Sequence, residues 1–310
     1  MVTAMAFVSL GNDYTYSVSM RKLSIFLFII LVSCSAKERQ QQVSDAFVSG
    51  EKIAQLNNNN LKEISGIASS VVNPEHLWAH NDAGNKAEIY LLNKNLDVKM
   101  ICELSGVENR DWEDIAVGPG PDPNKSYVYV GEIGDNDAVH REKYIYRFEE
   151  PVLNDGSSKK VISRFDKITF RLDGATKDTE TLLIDPRTKN LYVVTKRENP
   201  VHIYELTFPY ESEVNVAQKM FSLPMTRIVG GDFSRDGHKV LLKNDDVVFY
   251  WEATASESII EKMKGPALSV PYEKEPQGEA IAWASDDSGF YTLSEMPKKK
   301  DVYLYFYKRK

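Results

Sequence analysis

The sequence predicts an all-β fold, a β-propeller. Three observations carry the prediction: a unit that recurs at intervals of roughly 50 residues, strands rich in aromatic and β-branched residues with no long helical period, and a last unit that stops one strand short. Each copy begins with an acidic or glycine position and a short apolar strand, then turns back as a second strand ending in polar residues. The copies pair Glu63–Ala68 with His76–Asp82, Glu113–Val117 with Tyr127–Asp135, Glu180–Asp185 with Leu191–Glu198, Gly230–Ser234 with Val240–Asp246, and Glu279–Trp283 with Gly289–Glu295. Turn residues at Asp185–Asn190, Arg235–Gly237 and Asp286–Gly289 separate first from second strands.

Third strands follow with alternating aromatics, at Glu88–Leu92, Tyr144–Phe148, His202–Leu206, Val247–Trp251 and Val302–Tyr307. Weaker fourth strands read at Val98–Leu104, Lys167–Leu172, Gln218–Leu223 and Ala267–Val270. Four antiparallel strands per unit make a propeller blade. The last copy ends after its third strand, and Lys52–Leu56 is the strand expected to complete it, which removes an open edge. The count is five blades, or six if the long interval between the second and third copies holds a degenerate unit. The propeller is expected over residues 49–310.

The N-terminal stretch reads as an address. Met20, Arg21 and Lys22 form a positive region, and the apolar run Leu23–Leu31 is too short to cross a bilayer as a helix. Leu31-Val32-Ser33-Cys34 then resembles the lipobox of bacterial lipoproteins. The resemblance implies a signal region over residues 1–34; Met20 reads as the true start, and residues 1–19 before it have no obvious role. The resemblance also implies Cys34 as a palmitate-bearing membrane anchor, with the outer membrane favoured because Ser35 follows it. Residues 35–48 are polar and aperiodic and read as a flexible tether. With Cys34 so used, Cys102 is left as a lone buried thiol on its strand.

The 310 residues carry 38 Lys and Arg against 45 Asp and Glu, a formal charge of −7. An acidic surface repels phosphate backbones, which argues against nucleic acid as a partner. Nothing in the pattern calls for oligomerisation, and a monomer is expected. HExxH, GxSxG, P-loop and CxxC motifs are absent from the sequence.

The chemistry expected is that of carboxylates. In a propeller the start of each first strand and the end of each second strand reach the same face. That would gather Glu63, Glu113, Glu180 and Glu279 as a ring, flanked by Asp111 and Asp114. Like charges around one axis raise each other's pKa or hold a cation, and calcium suits such a ring of oxygens. The alternative is that each glutamate caps its own loop with no metal. The surrounding loops offer Asp82, Trp112, Asp135, Asn136, Lys196, Arg197, Asp245 and Glu295 as ligand contacts. The fourth copy has Gly230 and Gly231 where a glutamate is expected.

Glu63–Ala68, Trp78–Gly84, Asp111–Ala116, Gly131–Asn136, Gly231–Gly237 and Gln277–Ala282 resemble a group of bacterial secreted propellers, distantly similar to the SdiA-regulated and phytase-like propeller families. The resemblance covers roughly residues 50–310 and is specific for fold rather than activity. Phytase-like propellers imply calcium-dependent phosphate-ester hydrolysis, but this chain lacks an evident set of phosphate-gripping basic residues beyond Lys196, Arg197 and Arg141. Two functions stay open. One is a binding propeller that holds a ligand or partner on its carboxylate face. The other is a metal-dependent hydrolase of phosphate or carboxylic esters, with Glu113 or Asp111 as base and Arg197 as anion clamp.

Overall fold

The computed structural model describes residues 42–153, 158–298 and 300–310. The signal region with Cys34, and residues 35–41 of the expected tether, lie outside the described residues.

Strand β1 (Glu51–Gln55) precedes a first meander of β2 (Ile64–Ser69), β3 (His76–Asn81), β4 (Glu88–Asn93) and β5 (Val98–Leu104), in which neighbours pair antiparallel. The second unit is β6 (Trp112–Pro119), β7 (Ser126–Glu132) and β8 (Lys143–Glu149), completed by β10 (Asp166–Leu172). Between them in sequence lies β9 (Lys159–Ile162), which joins the first sheet in parallel with β5. The long interval between the second and third copies thus supplies an edge strand to an existing sheet.

The third unit is β11 (Thr179–Ile184), β12 (Leu191–Thr195), β13 (Val201–Leu206) and β14 (Val214–Leu223). Its outer strand β14 pairs in parallel with β10, which merges the second and third units into one eight-stranded sheet. The fourth is β15 (Gly230–Phe233), β16 (Lys239–Lys243) and β17 (Val248–Glu252), followed by the short helix α1 (Ile259–Met263) and then β18 (Leu268–Val270). The last is β19 (Gly278–Trp283), β20 (Gly289–Ser294) and β21 (Tyr303–Lys308). β1 pairs antiparallel with β21, Lys52 opposite Tyr305 and Gln55 opposite Tyr303, so the N-terminal strand completes the final sheet as the sequence predicts.

The first strands lie side by side in cyclic order, β2 on β6, β6 on β11, β11 on β15, β15 on β19 and β19 on β2. This is a propeller. The cores sit between successive sheets rather than within one. Trp78, Leu91 and Met100 of the first sheet pack on Trp112, Val128 and Tyr146 of the second, while Leu77, Ala79 and Leu92 face Ala282, Leu293 and Leu304 of the last. A sheet covered on both faces needs apolar residues at successive positions, which is why Leu191–Thr195 is buried throughout. Cys102 is free and buried on β5, as expected.

The expected tether needs correction at its C-terminal end. Ser44 N–H donates to Ser269 O at 2.7 Å, Ser269 N–H to Gln42 O at 3.0 Å and Val48 N–H to Lys308 O at 3.0 Å. Phe47 is only 2% exposed and packs edge-on against Tyr250 and Phe290, between the fourth and last sheets. Residues 42–48 are a strap on the propeller, because Phe47 fills an inter-sheet gap while Val43 and Val48 stay exposed.

Candidate carboxylate site

In four of the first strands, pairing with the second strand slips by one residue near the N-terminal end. The skipped residues are Ser65 in β2, Glu113 in β6, Glu180 in β11 and Glu279 in β19. A bulge leaves its extra residue unpaired and re-aims the side chain. β15 pairs with β16 without a slip, and a Cβ at Gly230 would lie 2.5 Å from Glu279 O, so the neighbouring strand excludes any side chain there.

This register corrects the expected glutamate ring. The residue level with Glu113 in the first unit is Ser65, whose hydroxyl donates to Glu113 O at 2.6 Å. Glu63 lies two residues earlier, level with Asp111 and Asp178. It is exposed, and its Oε2 accepts from Asn85 Nδ2 at 2.7 Å.

The carboxylates instead form two overlapping triplets. Asp82, Asp111 and Glu113 each offer an oxygen, and these lie within 4.8 Å of one another; so do Glu113, Asp178 and Glu180. Glu113 belongs to both. Gly134 makes the approach feasible: a methyl group there would overlap Glu113 Oε1 and Asp111 Oδ2.

The triplets differ in their compensation. Lys196 Nζ sits 2.8 Å from Glu180 Oε1. Arg197 Nε donates to Asp178 Oδ2 at 2.8 Å, and Asp135 N–H donates to Asp178 Oδ1 at 2.9 Å. The second triplet therefore carries its own cations. Among the described residues no lysine or arginine forms an ion pair with Asp82, Asp111 or Glu113 within 4.0 Å.

Burial pushes the Glu113 carboxyl well above the usual glutamate range, and Glu180, Asp82 and Asp111 add to the effect. Burial also raises Asp82 and Asp111. Glu180 is pushed up to about 7 by burial, with Lys196 opposing. Glu279 and Glu295 also rise to about 7, through burial first and then Glu295 and Asp82 respectively. For Lys196, burial favours the neutral amine, but Glu180, Glu279 and Glu113 outweigh it and raise its pKa. Such a cluster holds protons at neutral pH or binds a cation. Oxygen-only donors fit a hard cation such as calcium rather than zinc.

Several expected ligand contacts have other work. Trp112 is fully buried in the core, edge-on to His80 at 5.8 Å. Asp114 is buried and accepts the N–H groups of Leu182 and Ile115, each at 2.9 Å, tying β6 to β11. Asp135 is buried and accepts from Val139 and His140 N–H, both at 2.8 Å, so it shapes its own loop. Asn136 accepts from Arg197, and Asp245 pairs with Arg227. Glu279 and Glu295 stay half-buried beside the cluster but outside both triplets.

No protein-family model matches the chain, and no curated protein matches it. Among solved structures, the Dos1 propeller is similar at 12% sequence identity and a TM-score of 0.38, over 78% of this chain and 68% of that chain.

Two residues escaped the sequence reading. Asp178 carried a usable signal, since Asp111-Trp112-Glu113 and Asp178-Thr179-Glu180 share an Asp-x-Glu pattern that the other copies lack. Gly134 carried none, because its role is to leave a space between side chains from a different strand.

Proposed function

We propose that this chain is a lipid-anchored, five-bladed propeller of the bacterial cell envelope that binds a divalent cation, calcium first, at Asp82, Asp111 and Glu113, and holds a ligand or partner through it. The observation that carries the reading is the convergence of three carboxylates at the meeting of two sheets, none of them in a direct ion pair with a lysine or arginine among the described residues. The five-blade count is supported by the cyclic order of five first strands and by β9 joining an existing sheet. The anchor rests on the segment Met20–Cys34, with the outer membrane as its destination. The resemblance to phytase-like propellers makes calcium the first ion to test.

Glu113, Asp111 and Asp82 would hold the ion, and water would fill its remaining positions. Melting temperature measured against calcium concentration tests this. Wild type should gain stability with occupancy, and Glu113→Gln and Asp111→Asn should not. A wild-type melting temperature indifferent to calcium, magnesium and chelator would reject the site. The anchor is tested separately, by mass of the mature N-terminus and by release of Cys34→Ser from membranes.

A second reading, metal-dependent ester hydrolysis, draws support from Glu113's place in both triplets, which sets two cation positions side by side. Arg197 is already engaged by Asp178, which weakens its role as an anion clamp. Turnover of phosphate monoesters or carboxylic esters that needs calcium and is lost in Glu113→Gln would favour this reading.

A further inference from the structure

Lys196 follows β12 at a place where two other units carry acids. Asp82, Lys196 and Glu295 each donate a backbone N–H to the residue just ahead of their own first strand, at 2.7 Å to Glu63 O, 3.2 Å to Asp178 O and 3.1 Å to Gln277 O. The lysine thus enters a position that the first and last units fill with a carboxylate. Its backbone is held from the other side as well, because Lys196 O accepts Arg227 N–H at 2.8 Å.

The position of the charge follows. Lys196 Nζ lies 2.8 Å from Glu180 Oε1, and its side chain is 23% exposed. Burial opposes the charge, but Glu180, Glu279 and Glu113 hold the group as an ammonium. Glu113 and Glu180 are two acids of the second triplet. The third, Asp178, accepts from Arg197 Nε and from Asp135 N–H. Glu113 is the acid that both triplets share, so the chain itself supplies cations on one side of it and none in direct contact on the other. An ammonium nitrogen at this distance stands only slightly farther out than calcium, which lies about 2.3–2.6 Å from its oxygens. A divalent ion entering the second triplet would meet that like charge at close range.

We propose that the Lys196 ammonium takes the place of a second metal ion in the Glu113, Asp178 and Glu180 triplet and so sets the capacity of the cluster at one divalent cation. The inference rests on the cation reading of Asp82, Asp111 and Glu113, and adds the residue that fixes the number of ions. The test counts ions on the full chain, by equilibrium dialysis with calcium and by luminescence of bound terbium and europium. Wild type should bind one ion, and a terbium–europium mixture should show no energy transfer. Lys196→Gln and Lys196→Met should each bind one ion more. The mixture should then transfer energy, because two ions sharing Glu113 would sit about 3.5–4 Å apart. Lys196→Arg keeps the charge and should count as wild type does. Far-UV circular dichroism establishes that each variant is folded. The proposal is overturned if the two neutral variants bind no more ions than wild type, if the added ion shows no transfer to the first, or if Lys196→Arg gains an ion too. Energy transfer in wild type would overturn it without any variant, since two ions would then already share the cluster. A wild type that binds no ion rejects the cation reading itself, and Lys196 then keeps its role only if both neutral variants still gain one ion.

Discussion

Glu113 reaches two triplets because a bulge turns it out of the ladder and Gly134 leaves room beside it. Gly134→Ala should therefore push the Glu113 and Asp111 carboxylates apart. We expect the calcium-dependent gain in melting temperature to shrink or vanish, while far-UV circular dichroism stays that of wild type. Asp114, one residue on, does different work. It is buried and accepts two backbone N–H groups, and its carboxyl is pushed well above the usual range, chiefly by burial. Asp114→Ala should leave both donors unmet and cost about 3 kcal/mol in urea unfolding. Asp114→Asn keeps an acceptor and should cost clearly less. Equal losses in the two variants would contradict the hydrogen-bond account.

The strap at residues 42–48 and strand β1 close the propeller together. β1 completes the last sheet, and Phe47 fills the gap between that sheet and the fourth. Removing a buried phenylalanine leaves a cavity that costs about 3–5 kcal/mol, so Phe47→Ala should lose stability on that order by urea denaturation. Were residues 42–48 a free tether, the substitution would cost almost nothing. β1, the third strands and most fourth strands were legible to within about two residues, because alternation and turn residues are local signals. β9 was missed. A four-residue strand that adds in parallel to a strand far back in sequence leaves no local pattern.

Across the molecule, the carboxylate cluster couples stability to pH. Glu180, Glu279 and Glu295 have pKa values raised to about 7 from an ordinary value of 4.5, so the folded state keeps protons that the unfolded chain has already released between those values. Stability must then fall as pH rises through that window. His80, lowered to about 4 by burial, acts in the opposite direction up to about 6.5, but it is one group against several. In the presence of chelator, the melting temperature should be higher at pH 6 than at pH 8. The double variant Glu113→Gln and Glu180→Gln should flatten that slope, and calcium should oppose the fall in wild type. A chelated wild-type protein more stable at pH 8 would show that these acids ionise freely.

The sequence by itself determined the all-β fold, the repeat and the closing strand, because each is written in alternation, turn chemistry and composition along neighbouring residues. Only the tertiary structure decided which acids meet. The residue level with Glu113 proved to be Ser65 rather than Glu63, because a one-residue bulge shifts the register without changing the pattern of residue types. Asp178 entered and Asp114 left the site for a related reason: whether a carboxylate faces a ligand or a backbone N–H depends on side-chain direction, which a linear spacing does not encode.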